Sequence, residues 1–245
     1  MTNPSNLIAK PQGMNVKLFA DGADLEDIRL RAQDPAIAGF TTNPTLMRKA
    51  GVSDYEAFAR SVLEIVGDRP VSFEVFADDD IEILRQAQIL SSWGPNVFVK
   101  MPVTNTAAVS TAPIIKELAA RGVQQNVTAL MTLDQVRWVA DALSGGPRAN
   151  ISVFAGRVAD TGRDPMPLMS KSVKLLADHP NIELIWASPR EVLNIVQADE
   201  VGCHIITVTN DLLSKLGNLG KDLDDFSLDT VQMFFNDAAA SGYSL

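Results

Sequence analysis

Eight short β-prone runs, each followed by a stretch with helical periodicity, constrain this chain more than any other feature. The runs are Asn15–Asp21, Ala38–Thr42, Val71–Phe76, Asn96–Met101, Gln125–Leu130, Asn150–Phe154, Ile182–Ala187 and His204–Val208. Between them, apolar residues recur at the spacing of one helix face. Phe58, Val62 and Ile65 share a face in Tyr55–Val66, which ends at Gly67. Ile114, Ile115 and Leu118 do the same in Thr111–Arg121, with Thr111 expected as N-cap, Pro113 in the first turn and Gly122 as C-cap. Eight strand–helix repeats predict an α/β fold, a (β/α)8 TIM barrel, formed by residues 1–245 as one domain. A doubly wound open sheet uses the same alternation, but after the first run stands Asp21-Gly22-Ala23-Asp24 rather than Gly-x-Gly-x-x-Gly. Residues 1–14 read as an N-terminal extension and 226–241 as an additional C-terminal helix. The helix carries an apolar stripe of Leu228, Val231, Phe234 and Phe235. That stripe is expected to close the barrel edge or to meet a neighbouring subunit, and a homo-oligomer is the expected state.

Charge narrows the partners. With 21 Lys+Arg against 30 Asp+Glu the formal net charge is −9, which repels nucleic acid and anionic membranes. Small anionic substrates respond instead to local arginines. Cys203 is the only cysteine, so no intrachain disulfide can form. Met1 to Gly13 lacks the apolar segment of a signal peptide, and no run approaches the length of a membrane span. A soluble cytoplasmic protein without membrane or nucleic-acid partners is expected.

In a barrel, chemistry belongs at the C-terminal ends of the strands. There, seven of the eight runs carry polar groups that packing does not require. The first ends at Asp21, the second at Thr41-Thr42-Asn43-Pro44, and the third contains Glu74. The fourth, Asn96-Val97-Phe98-Val99-Lys100-Met101, ends in a lysine within an otherwise apolar run. The fifth carries Asn126 and Thr128, the sixth Ser152 with Arg157 beyond it, and the seventh leads into Ser188 and Arg190. Phe98 with Lys100, and Asn126 with Thr128, share faces that can point to the barrel axis. A lysine at a strand mouth can be a solvated side chain. It can also be a nucleophile that forms a Schiff base with a ketone, the iminium then serving as electron sink while Asp21 and Glu74 move protons. Asn43, Asn126 and Ser152 match a polyhydroxylated chain, and Arg157, Ser188 and Arg190 a phosphate. Salt-bridging is the competing role for Asp21 and Glu74, as capping or structural hydrogen bonding is for Asn43 and Thr128. Asp78-Asp79-Asp80 reads as a helix start rather than a metal site. His179 reads as a loop residue, His204 as packed, and Gly145-Gly146-Pro147 as a plain turn. No zinc-ligand spacing occurs, so no metal or cofactor is expected.

Several segments together are similar to the transaldolase family. They are Leu18-Phe19-Ala20-Asp21, Gly39-Phe40-Thr41-Thr42-Asn43-Pro44-Thr45-Leu46, Val97-Phe98-Val99-Lys100-Met101-Pro102-Val103-Thr104, Asn126-Val127-Thr128 and Ser152-Val153-Phe154-Ala155-Gly156-Arg157. The resemblance runs from Val16 to about Leu216. It implies Lys100 as the Schiff-base lysine, Asp21 as acid/base, and Glu74 with Thr128 around a proton-shuttling water. It further implies Thr41, Asn43, Asn126, Ser152 and Phe154 around the sugar, and Arg157, Ser188 and Arg190 on a phosphate. The implied reaction transfers a dihydroxyacetone unit from sedoheptulose 7-phosphate or fructose 6-phosphate to an aldose phosphate, as in the pentose phosphate pathway. The same family contains fructose-6-phosphate aldolases that release free dihydroxyacetone. Glu74 and Phe154 match the transaldolase pattern, whereas the aldolases carry glutamine and tyrosine there. The short chain resembles the aldolase-like subgroup, and Val153 and Gly22 replace the usual proline and threonine. A barrel that binds without catalysing is the remote alternative.

Overall fold

Each β-prone run becomes one strand of a closed barrel in the computed structural model, which describes Lys10 and residues 13–243. Most of the expected N-terminal extension lies outside the described residues. The strands are β1 (Lys17–Asp21), β2 (Ile37–Thr41), β3 (Val71–Glu74), β4 (Val97–Pro102), β5 (Gln125–Leu130), β6 (Ala149–Val153), β7 (Ile182–Trp186) and β8 (Ile205–Thr209). Neighbours pair in parallel and in chain order, and β8 closes on β1 with Lys17 opposite Ile205 and Asp21 opposite Thr209. The helices between them are α1 (Leu25–Ala32), α2 (Pro44–Lys49), α3 (Tyr55–Val66), α4 (Asp80–Ser92), α5 (Ala112–Ala120), α6 (Leu133–Leu143), α7 (Ala155–Ala159), α8 (Met166–Leu176) and α9 (Leu193–Glu200), and the short α10 (Asn210–Leu213) follows β8. A last helix, α11 (Leu223–Ser241), follows the barrel.

Local chemistry starts these helices where the chain leaves a strand. Asp24 accepts from the backbone N–H groups of Glu26 and Asp27, Asp54 from Ala57 and Asp79 from Glu82. Thr132 and Gln135 form a reciprocal capping box at α6. Each such cap contributes about 1 kcal/mol. Asp79 therefore does what the acidic run suggested, while Asp78 accepts from Thr106. Thr111 occupies the N-cap position of α5 without capping it; its hydroxyl donates to the carbonyls of Pro102 and Val103.

Two apolar bodies result. The main core lies between strands and helices, where Val62, Leu118, Val139, Met169 and Trp186 are fully buried. A second cluster of Phe19, Ile185, Ala187 and Ile205 lies apart from it and is contacted by Ala38 and Phe154. Strand alternation assigns this second cluster to the barrel interior. Gly39 makes room for it, because a Cβ there would lie 2.5 Å from the Phe19 ring. Asp21 and Thr207 stand two residues further along their strands than Phe19 and Ile205 of this cluster. On β1 and β8 the polar residues thus stand above an apolar layer.

α11 departs from one half of the sequence reading. It spans Leu223–Ser241 with no buried residue, and Leu228, Val231, Phe234 and Phe235 are all exposed. It does not close the barrel edge. No helix among the described residues is long and apolar enough to cross a membrane.

Candidate active site

Lys100 is 7% exposed at the C-terminal end of β4. Its Nζ donates to the Thr42 carbonyl at 2.9 Å and lies 3.0 Å from Oε2 of Glu74, the residue paired with it across β3 and β4. Glu74 is thus the counter-ion of the amine, the salt-bridge role weighed for it, in a geometry that also permits proton exchange between the two. Tyr55 on α3 steadies this strand end by donating to the Glu74 carbonyl at 2.9 Å. Burial, and the neighbouring Glu74 charge, hold the Tyr55 phenol well above its usual range. Sequence reasoning missed Tyr55, which it placed only as the first residue of a helix.

Asp21 faces Lys100 from β1. Burial raises its pKa, against the Lys100 charge and a 2.8 Å hydrogen bond from Thr41 Oγ1, both of which lower it. A carboxyl whose protonated form is favoured in this way is suited to giving and taking a proton. Thr41 Oγ1 also meets Thr207 Oγ1 in a close hydroxyl–hydroxyl contact. This corrects the expectation that the eighth strand brings nothing to the site. Thr207 could have been found by parity, since it points the same way as Ile205; a threonine in a β-branched strand otherwise gives no signal.

A second chain of hydrogen bonds crosses the barrel beside the lysine. Ser152 Oγ donates to Asn126 Oδ1 at 2.7 Å, and Asn126 Nδ2 donates to Ser72 Oγ at 2.9 Å. All three are buried. Ser72, another omission of the sequence reading, fixes which way the Asn126 amide points. Thr128 is buried with no protein hydrogen-bond partner for Oγ1, and the residue lines the cleft. Beyond it Ala129 takes φ 67° at the irregularity between Val127 and Leu130. Asn43 caps α2 by accepting from Leu46 N at 3.0 Å. It also lines the cleft, so its structural and binding roles are compatible.

Phe154 starts α7 and packs against the interior apolar cluster. Gly156 follows because the chain there runs over β7: an added Cβ would come within 1.6 Å of the Ser188 carbonyl oxygen. Ser188 itself has φ 58°. This close crossing presses the turn that carries Arg157 onto the Ser188–Arg190 segment, and all three residues line the same cleft. Arg190 is not free, since its guanidinium grips Asp160, with Nε donating to Oδ1 at 3.1 Å and Nη2 to Oδ2.

These groups line one cleft of about 520 Å³ that holds every residue selected from the sequence: Asp21, Thr41, Asn43, Glu74, Lys100, Asn126, Thr128, Ser152, Phe154, Arg157, Ser188 and Arg190. A cavity of about 250 Å³ at the opposite end contains Phe98, Asn150, Glu183 and His204. There Glu183 is tied to Lys17, and His204 Nδ1 accepts from Leu184 N. His204, expected to be packed, is half-buried and lines this cavity.

With lysine, carboxylates and amide network in place, comparison with known proteins decides the family. A family model described as Transaldolase/Fructose-6-phosphate aldolase matches residues 18–244. The chain belongs to this family. A probable transaldolase of Dehalococcoides mccartyi is 34% identical over 202 residues, covering 82% of this chain and 90% of that protein. One from Herpetosiphon aurantiacus is 33% identical over 225 residues, covering 89% and 96%. Among solved structures, dihydrodipicolinate synthase from Rhodopseudomonas palustris shares 14% identity with a TM-score of 0.57, covering 95% of this chain and 82% of its own. A 2,3-dimethylmalate lyase shares 14% identity with a TM-score of 0.54, covering 95% and 85%. At such identity these two support the barrel fold alone. The family relationship makes this chain an enzyme of the transaldolase-type aldolase group.

Proposed function

We propose that the enzyme is a Schiff-base transaldolase working without a metal, moving a dihydroxyacetone unit from a ketose phosphate to an aldose phosphate. The observation that carries this is the buried Lys100 amine held between the Glu74 carboxylate and the Thr42 carbonyl, with Asp21 facing it. Glu74 takes the ammonium proton, and Nζ attacks C2 of a ketose such as sedoheptulose 7-phosphate or fructose 6-phosphate. Loss of water gives the iminium. Asp21 then removes the C4 hydroxyl proton, the C3–C4 bond breaks, and its electron pair enters the iminium to form an enamine. The first aldose leaves; the enamine attacks the aldehyde of the second, Asp21 returns the proton, and water releases the new ketose. Asn126, Ser152 and Asn43 hold hydroxyls, Thr128 and Glu74 a water, and Arg157, Ser188 and Arg190 the phosphate.

Transfer is favoured over release because Phe154 offers the enamine no proton. The aldolase alternative is tested in the same assay. Borohydride with ketose phosphate should leave one reduced adduct on Lys100 and abolish activity. An adduct on another lysine, or none, would sink the mechanism, and rapid dihydroxyacetone release without acceptor would make the enzyme an aldolase.

Sugar phosphates are then the small-molecule partners, in the cytoplasm and in the pentose phosphate or a related carbohydrate pathway. The acidic surface argues against nucleic acid and membrane partners. The exposed apolar stripe of α11 supports a homo-oligomer. A monomer in sedimentation velocity would refute that assembly.

A further inference from the structure

We infer that Asp160 is a positioning residue that fixes the Arg190 guanidinium with one hydrogen-bonding edge turned toward the substrate phosphate, so that Asp160 sets how strongly the enzyme prefers phosphorylated sugars. The inference rests on the reading that Arg157, Ser188 and Arg190 form the phosphate corner. A guanidinium carries five N–H donors in a planar fork. Asp160 occupies the edge made by Nε and Nη2, one carboxylate oxygen on each nitrogen. The other edge, one N–H from Nη1 and one from Nη2, remains for a second bidentate acceptor, the geometry a phosphate matches.

Three further contacts point the same way. The backbone N–H of Arg190 donates to Asn194 Oδ1 at 2.7 Å, which anchors the start of the side chain while Asp160 anchors its end. Asp160 follows the last residue of α7, the helix that also carries Arg157, and its N–H bonds the Gly156 carbonyl. Gly156 in turn lies against Ser188. One short segment therefore brings Arg157, presses on Ser188 and clamps Arg190. The Asp160 carboxyl is held below its ordinary range chiefly by the Arg190 hydrogen bonds, with smaller contributions from the charges of Arg190 and Arg157. The two arginines and Asp160 together carry one net positive charge. Without Asp160 the corner would gain charge but leave Arg190, half-exposed, free to rotate into water.

The test compares wild type with Asp160→Asn, Arg190→Ala and the double variant. Each is assayed with a ketose phosphate, with the same ketose lacking phosphate, and with inorganic phosphate as competitive inhibitor. The asparagine keeps the volume of Asp160 but can accept at only one oxygen. Expected for Asp160→Asn is a five- to tenfold rise in KM for the ketose phosphate and in the inhibition constant of inorganic phosphate. Its kcat and its activity on the unphosphorylated ketose should stay within twofold. In the double variant the asparagine should add almost nothing to the loss caused by Arg190→Ala. Tighter phosphate binding in Asp160→Asn would show that Asp160 is a competing plug and overturn the inference. Equal losses on both sugars with a lowered Tm would show a merely structural role and overturn it as well. If Arg190→Ala itself leaves the preference for phosphorylated sugar unchanged, the phosphate reading fails first.

Discussion

Replacing Gly156 with alanine should damage the phosphate end of the cleft while leaving the lysine chemistry intact. The new Cβ would start 1.6 Å from the Ser188 carbonyl oxygen and 2.7 Å from its carbon, both backbone atoms that no rotamer change can move. Ordinary carbon–oxygen contact needs roughly 3.3 Å or more, so α7 and the end of β7 must separate by about 1.7 Å. Such overpacking costs ~1–3 kcal/mol, and occasionally more. A backbone obstruction belongs at the upper end, about 3 kcal/mol. The same separation carries Arg157 away from Ser188 and Arg190. Misplacing a binding group by ~1 Å can cost about a hundredfold in rate, and here the loss should fall on kcat/KM for phosphorylated sugars. Lys100, Glu74 and Asp21 lie on β4, β3 and β1, none of which pairs with β7. Two measurements check the outcome. Urea denaturation should show the stability loss. Borohydride trapping at saturating ketose phosphate should still label Lys100. A variant with wild-type stability and wild-type KM would refute the steric argument. Loss of trapping at saturation would refute the separation of phosphate binding from lysine chemistry.

Two further predictions concern the carboxylate and aromatic neighbours of Lys100. The raised pKa of Asp21 means the folded protein binds its proton more tightly than the unfolded chain does, so ionised Asp21 lowers stability. That penalty grows as pH rises from near 3.8 through the folded-state value. Asp21→Asn should therefore be inactive yet raise Tm at neutral pH, with the gain shrinking toward pH 4; a Tm difference independent of pH would contradict this. Phe154→Tyr should raise free dihydroxyacetone release relative to transfer, measured in parallel, because a phenol can give the enamine a proton or orient a water to do so. An unchanged ratio would leave the cleft shape, rather than residue 154, in control of that proton.

The linear chain determined the order and kind of the elements. Strand runs and helix stripes are local periodicities that can be read residue by residue, and the acidic run at Asp79 marked a helix start, whereas Thr111, expected as a cap, bonds the Pro102 and Val103 carbonyls instead. Barrel geometry then made any polar group at a strand's C-terminal end a site candidate, and Lys100 stood out because its neighbours are apolar. What tertiary structure alone decided is who meets whom. Thr207 reaches Thr41 because β8 closes on β1, a pairing between residues far apart in the chain. Ser72 reaches Asn126 through the barrel interior, past the intervening β4. Asp160 finds Arg190, and Gly156 the Ser188 carbonyl, at the crossing of two chain segments that carry no mutual pattern. Nor could the stripe on α11 say where the helix lies, since an apolar face specifies burial but names no partner. Alternation along a strand tells which way a side chain points; strand register and barrel closure, which depend on every strand at once, fix the distance to its partner.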